Sequence, residues 1–250
     1  MTKNYYNISP QIYDDQFWWK KDDIEFWKKL FQSKKNTILE LAAGTGRLAL
    51  PLIREGYNYK GIELSASYSK HANRKINELS GSDNIEVNDM KTFNLNCIFN
   101  DIFIGFNSWL HLLNISDATQ CLKSVKKHMN RKSRFYIDVF VPNPLFLYRL
   151  EDLAIRVLEF RDSVTNQMMY IDEILFYDKK NETADITWIY SNAKKRILYE
   201  FNFQMKMYYP DTMHSLLIDN GFQIKNVWGS YNQDDFTESS TLQIYQCTLQ

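Results

Sequence analysis

Thr37-Ile38-Leu39-Glu40-Leu41-Ala42-Ala43-Gly44-Thr45-Gly46-Arg47 is the stretch on which the reading of this chain turns. Its first five residues form a short, largely apolar run, as expected of a strand buried on both faces. The run passes directly into a glycine turn, and residues 47–54 then read as a helix closed by Gly56. Glycines in such a turn let backbone approach a ligand where a Cβ would collide, and the helix start presents unpaired N–H groups. Taken alone, the turn also fits G-x-G-x-x-A through Gly44, Gly46 and Ala49. A dinucleotide site and a plain tight turn both stay open at this point.

Outward from that turn, strands and helices alternate. Residues 57–63 read as a second strand ending on Glu63, and Ser65 or Ser67 caps a helix that continues to Leu79. Residues 85–88 form a third strand, followed by Asp89-Met90, and 101–106 a fourth. A helix over 117–129 leads to a fifth strand at 134–140, which ends in Val141-Pro142-Asn143-Pro144. On the N-terminal side, 22–32 reads as a helix with Ile24, Trp27, Leu30 and Phe31 on one face and Asp22 and Asp23 at the positive end of its dipole. Such alternation predicts a parallel sheet covered on both faces.

The period then changes. Ile197, Tyr199, Phe201, Phe203, Met205 and Met207 alternate with mostly polar residues, and 169–177 and 184–190 look alike, joined by a hairpin turn at Lys179-Lys180-Asn181-Glu182. Residues 151–207 are therefore expected to form an antiparallel β insertion. Pro210-Asp211-Thr212 starts another helix that ends at Asn220-Gly221. Two final strands, 222–228 and 242–248, place one strand antiparallel to its neighbours.

Composition narrows the function classes. The chain has 250 residues, enough for one α/β domain and a modest elaboration. Lys plus Arg (30) equals Asp plus Glu (30), which argues against a nucleic-acid-binding domain. Cys97, Cys121 and Cys247 form no CxxC pair, and His71, His111, His128 and His214 show no metal-ligand spacing, so no metal site is expected. The N-terminal residues lack a signal-peptide pattern, and no apolar stretch approaches a membrane span. The expectation is a cytoplasmic protein.

Three points carry the chemistry. Gly44 and Gly46 follow the first strand. Glu63 ends the second, about 20 residues beyond Gly44, where a carboxylate can accept both hydrogen bonds of a ribose diol. Asp89 follows the third, where it can accept from an adenine amino group with Met90 on the ring; an Asx turn is the plainer reading. All three lie at the carboxyl ends of successive strands, the edge at which open α/β sheets bind ligands.

With these residues in place the chain resembles the class I S-adenosylmethionine-dependent methyltransferases, in their small-molecule subgroup. Residues 38–50 look like the family's glycine-rich motif, with Glu40, Gly44 and Gly46 at its acidic and glycine positions. Glu63 matches the ribose-binding acid, and Asp89-Met90 the adenine-contacting pair. Asp138 to Pro144 and Tyr208-Tyr209-Pro210-Asp211 are similar to later segments of the subgroup. Ala42 departs from the family's usual glycine, and alanine is compatible there where φ stays negative. The resemblance implies a Rossmann-like seven-stranded mixed sheet with helices on both faces, its last strand antiparallel, plus the antiparallel insertion. It implies four parts: an N-terminal helical lid (1–36), a cofactor-binding core (37–150), the insertion as an acceptor platform (151–207) and a C-terminal completion of the sheet (208–250).

The cofactor implied is S-adenosyl-L-methionine. Its site would be made by Tyr13, Glu40, Ala42, Gly44, Gly46, Arg47, Glu63, Leu64, Asp89, Met90, Phe106 and Asn107. Tyr13-Asp14 followed by Phe17, Trp18 and Trp19 looks like the subgroup's lid, where an aromatic face suits a sulfonium; simple packing of an N-terminal helix is the alternative. His111 is a candidate general base by its ordinary pKa, and Tyr136 and Asp138 candidates to line the acceptor site. The implied partner is a small-molecule acceptor, without nucleic acid or membrane, and a homodimer through the insertion is open. A nicotinamide-dependent oxidoreductase, a nucleic-acid methyltransferase and a catalytically silent methyltransferase-like binding protein stand as alternatives.

Overall fold

The structure, a computed structural model, describes residues 8–250. Its elements in chain order are α1 (Pro10–Gln16), α2 (Asp22–Leu30), β1 (Thr37–Leu41), α3 (Ala49–Arg54), β2 (Asn58–Glu63), α4 (Ala66–Ser80), β3 (Ile85–Val87), β4 (Asp101–Ile104), a 3-10 turn (Ser108–His111), α5 (Ile115–Lys127), β5 (Arg134–Phe140), α6 (Pro144–Leu147), β6 (Ile155–Arg161), β7 (Met168–Asp178), β8 (Thr183–Asn192), β9 (Ile197–Lys206), α7 (Pro210–Asp219), β10 (Phe222–Trp228) and β11 (Leu242–Leu249). They fall into two compact units. One is Lys21–Val141 with Tyr208–Gln250; the other is Pro142–Met207 with the described residues up to Lys20. The N-terminal stretch thus divides between α1 and α2.

The first unit holds the expected sheet, seven strands in the order β10-β11-β5-β4-β1-β2-β3. Strands β1 to β5 pair in parallel, and β11 runs antiparallel to both β5 and β10. The chain leaves β1 toward β2 and β3, then returns to β4 on the other side of β1. The carboxyl ends of β1 and β4 therefore flank a topological switch point. The β1 residues from Ile38 to Leu41 are buried because both sheet faces are covered. Trp27 of α2 is fully buried, its ring centroid 4.7 Å from Phe103 and 6.1 Å from Tyr136. Burying each such side chain stabilises the fold by about 1.5–3 kcal/mol, which fastens α2 to the sheet.

Local chemistry sets the helix limits. Ser65 accepts from the Tyr68 amide to start α4, and Gly81, at φ +72°, ends it. Helix α5 begins two residues before the expected 117 because Asn114 accepts from the Asp117 amide. Strand β4 ends at Ile104, not at 106. Phe106 and Asn107 take φ of +51° and +64°, held there by amide bonds to Asp138 Oδ2 (3.1 Å) and the Asp138 carbonyl (3.1 Å).

The second unit is built on an antiparallel sheet in the order β6-β7-β8-β9. The turn between β7 and β8 falls at residues 179–182, where the sequence places it, and β7 alternates buried with half-buried positions along most of its length. Strand β6 escaped the sequence reading because it is a mostly exposed edge strand with no period-two pattern. Among the described residues no helix is long and apolar enough to cross a membrane, and no group of three or more His, Cys, Asp or Glu is arranged to hold a metal ion.

Candidate cofactor site

The glycine turn leaves β1 on Ala42. Its φ is +58°, which corrects the expectation of a negative angle. The left-handed conformation costs an L-residue roughly 1–2 kcal/mol, so the turn keeps a path that glycine would favour. Gly44 (φ +57°) and Gly46 (φ +82°) follow in the same region. At Gly46 a side chain also lacks room, since a Cβ there would stand 3.2 Å from the Ala72 Cβ of α4. Arg47 and Leu48 lie in the turn, and the regular helix starts only at Ala49.

Glu63 binds the turn to the second strand. Its Oε2 accepts the Gly44 amide at 2.9 Å and its Oε1 the Ser65 amide at 2.8 Å. Its backbone carbonyl accepts the Asn88 amide at 3.0 Å. The three strand-end points are thus tied together through one buried residue, 3% exposed. A carboxylate has about four lone-pair positions, and these two amide bonds take two. Leu64, next in the chain, is 55% exposed.

After β3, Asp89 Oδ1 accepts the Lys91 amide at 2.8 Å, which is the Asx turn that the sequence left open. Its Oδ2 faces the Lys91 ammonium at 3.8 Å. Met90 is half-buried beside it.

A charge cluster lies under the turn. Glu40 of β1 is 5% exposed, and Oε2 accepts the Tyr59 hydroxyl at 2.5 Å. Burial pushes its carboxyl up to about 8, against the Tyr59 hydrogen bond and the nearby Arg47 cation, which favour the ion. Arg47 does not stand free to meet a ligand. Its two terminal nitrogens donate to Asp23 Oδ1 (2.7 Å) and Oδ2 (2.6 Å), and its guanidinium lies 4.9 Å from the centre of the Phe106 ring. One side chain thereby ties α2, the glycine turn and the end of β4. The sequence reading placed Asp23 at a helix start for its dipole alone. The structure buries it completely as the partner of Arg47.

Beyond β4, Asn107 Oδ1 accepts the Phe140 amide at 2.8 Å. Asp138 is 1% exposed and accepts from Phe106 and, at 2.8 Å, from the Tyr231 hydroxyl. These bonds make it a buried structural acid. Tyr136 is a correction. It is fully buried, with Trp27 and Phe31 against its ring, and burial holds its phenol well above the ordinary range. A phenol so enclosed packs the core and cannot line an acceptor site. His111 is exposed at the end of the 3-10 turn.

Tyr13 lies on α1 in the second unit, edge-on to Phe17 at 4.9 Å. Phe17 in turn reaches Trp188 of β8, at 6.4 Å. Trp18 and Trp19 are 62% and 47% exposed, so they do not serve as packing for the helix. Polar anchors of α1 are Gln16, whose Oε1 accepts the Tyr190 hydroxyl at 2.7 Å, and Asp15, whose Oδ2 accepts the Ser163 amide at 2.8 Å.

Comparison with known proteins agrees with this geometry. Residues 38–132 match a family model described as a methyltransferase domain. The CcbJ methyltransferase from Streptomyces caelestis aligns over 92% of this chain and 94% of its own, with a TM-score of 0.76 at 17% identity. An S-adenosylmethionine-dependent methyltransferase from Clostridium acetobutylicum gives 0.76 at 16% identity over 98% and 99%. CalS10, an amino pentose methyltransferase from Micromonospora echinaspora solved with S-adenosylmethionine bound, gives 0.68 at 13% identity over the whole of both chains. No curated protein sequence matches. Residues 38–132 are thus similar to a methyltransferase domain, and the chain has the fold of the class I S-adenosylmethionine-dependent methyltransferases.

Proposed function

We propose that this protein transfers a methyl group from S-adenosylmethionine to a small-molecule acceptor. The observation that carries the reading is the convergence on Glu63, whose carboxylate and carbonyl bind Gly44, Ser65 and Asn88 at the carboxyl edge of the sheet. When bound, the cofactor supplies a methyl carbon already activated by its sulfonium. The protein's work is therefore to bind, orient and exclude water.

The residues fit that cofactor. Glu63, a buried carboxylate at the end of β2, is the acceptor for ribose hydroxyls in this reading. Exposed Leu64 and half-buried Met90 offer apolar contact to the adenine faces, with Asp89 as acceptor for its amino group. Glu40, buried with one neutral hydrogen-bond donor, suits an ammonium group. In this reading His111, exposed on the turn after β4, serves as the proton acceptor for an amine or hydroxyl nucleophile. The amino pentose specificity of one structural neighbour and the equal counts of basic and acidic residues both support a small acceptor over a nucleic acid.

The test is incubation with methyl-tritiated S-adenosylmethionine and a cell extract divided by mass. Label in the low-mass fraction, dependent on intact Glu63, is expected. Label confined to protein or RNA would overturn the acceptor class.

A further inference from the structure

Glu40 is the last residue but one of β1, paired in register with Gly61 of β2 and Phe103 of β4. Neither neighbour brings a polar side chain. The hydrogen bond comes from Tyr59, two residues before Gly61, whose hydroxyl reaches across to Oε2 at 2.5 Å. Gly61 makes this reach possible. A Cβ there would stand 2.7 Å from the Tyr59 hydroxyl oxygen and 2.9 Å from the Ala43 Cβ, closer than such contacts allow. Tyr59 is itself 3% exposed, so its hydroxyl has no solvent to turn to and is committed to Glu40.

The charges facing Glu40 come from three elements. Arg47 in the turn favours its ionised form; Asp23 of α2 and Glu63 at the end of β2 oppose it. Arg47 is engaged by Asp23 in a bidentate pair, which leaves its attraction to Glu40 largely offset. A carboxylate kept dry in this way is stable as an ion only when a cation arrives beside it.

We infer that Tyr59 is a positioning residue for the cofactor's amino-acid tail, its hydroxyl aiming the Glu40 carboxylate and favouring the ionised form that an incoming ammonium requires. The inference rests on the functional reading above. In the free protein burial keeps the Glu40 carboxyl up to about 8, so binding near neutral pH is coupled to release of the Glu40 proton. Loss of the Tyr59 hydroxyl removes the one neutral donor that opposes this upward shift. Fewer free molecules are then binding-competent at pH 7, while at high pH, where Glu40 is ionised in both proteins, the two converge.

The experiment is calorimetric titration with S-adenosylhomocysteine, whose only cation is that ammonium, for wild type and Tyr59→Phe from pH 6.5 to 9.5. The quantity read is the ratio of the two dissociation constants at each pH, in which titration of the ligand's own amine cancels. A shift of one unit in Glu40 predicts a ratio of about tenfold at pH 7, falling to within about twofold at pH 9.5. A ratio that is the same at every pH, whether large or near one, overturns the inference, because a merely structural tyrosine would weaken binding uniformly. Should Tyr59→Phe fail to fold, Glu40→Gln carries the test. Wild type is expected to release a proton on binding at pH 7, measured in two buffers of different ionisation enthalpy, and Glu40→Gln none. Equal release by both overturns the inference. If wild type itself does not bind S-adenosylhomocysteine, it is the functional reading that fails.

Discussion

The pair between Asp23 and Arg47 invites a quantitative test, because its geometry separates it from an ordinary surface ion pair. Both guanidinium contacts are short, 2.7 and 2.6 Å, and the Asp23 side chain is fully buried while that of Arg47 is 18% exposed. Exposed pairs contribute about 0–1 kcal/mol. Removing one partner of a buried pair costs roughly 3–5 kcal/mol, because the remaining charge is stranded. In Asp23→Ala the stranded charge is Arg47, which keeps some access to water and its contact with the Phe106 ring. The lower end therefore applies, about 3 kcal/mol. For a chain of this size that lowers Tm by roughly 6–12 °C. The assay is thermal and urea unfolding of wild type, Asp23→Ala, Arg47→Met and the double variant. The double variant is expected to be less destabilised than the sum of the two singles, with a coupling free energy of about 2 kcal/mol or more. A loss below about 1 kcal/mol in Asp23→Ala with no coupling would refute the reasoning, and with it the idea that this pair pins α2 to the glycine turn.

Three further outcomes are expected. Ala42→Gly should stabilise the protein by about 0.5–1 kcal/mol, since release of the left-handed strain exceeds the added freedom of the unfolded chain; calorimetric Tm rising by a few degrees checks it. The raised carboxyl of Glu40 contributes stability that is complete below its ordinary 4.5 and is lost as pH rises through about 8. Glu40→Gln should therefore flatten the stability-against-pH curve of the ligand-free protein between those values, by on the order of 4 kcal/mol, and an unchanged slope in urea unfolding would count against it. Of the three cysteines, Cys97 is exposed while Cys121 and Cys247 are buried, with burial raising both thiols. One thiol per native chain should react promptly with an aromatic disulfide reagent, and three after denaturation.

Much of the fold was legible because it is written locally. Strand β5 spans the expected residues, Arg134–Phe140, since a continuous run bounded by polar turns leaves little freedom. The second sheet showed itself through period two, except β6, which buries too little to leave a pattern. The glycine turn, Glu63 and Asp89 could be read from their places after strands. What could not be read is what joins elements distant in sequence. Tyr59 meets Glu40 only once β1 and β2 are set in register with Ile38 beside Tyr59, and Arg47 meets Asp23 only once α2 lies on the sheet. Tyr136 was a candidate by its place on the fifth strand alone, but this sheet is covered on both sides. The positive φ of Ala42, Phe106 and Asn107 had no signal, since none is glycine and each is held by the surrounding bonds.

The central claim is that Glu63 and the glycine turn form one grip on an adenosine carried by an amino-acid tail. Parallel calorimetric titrations with S-adenosylhomocysteine and NADH, on wild type and Glu63→Ala, test it most directly. The account predicts one S-adenosylhomocysteine bound per wild-type chain, affinity lower by about tenfold or more in the variant, and no heat from NADH. Stoichiometric binding of NADH, or S-adenosylhomocysteine binding that is indifferent to loss of Glu63, would contradict it.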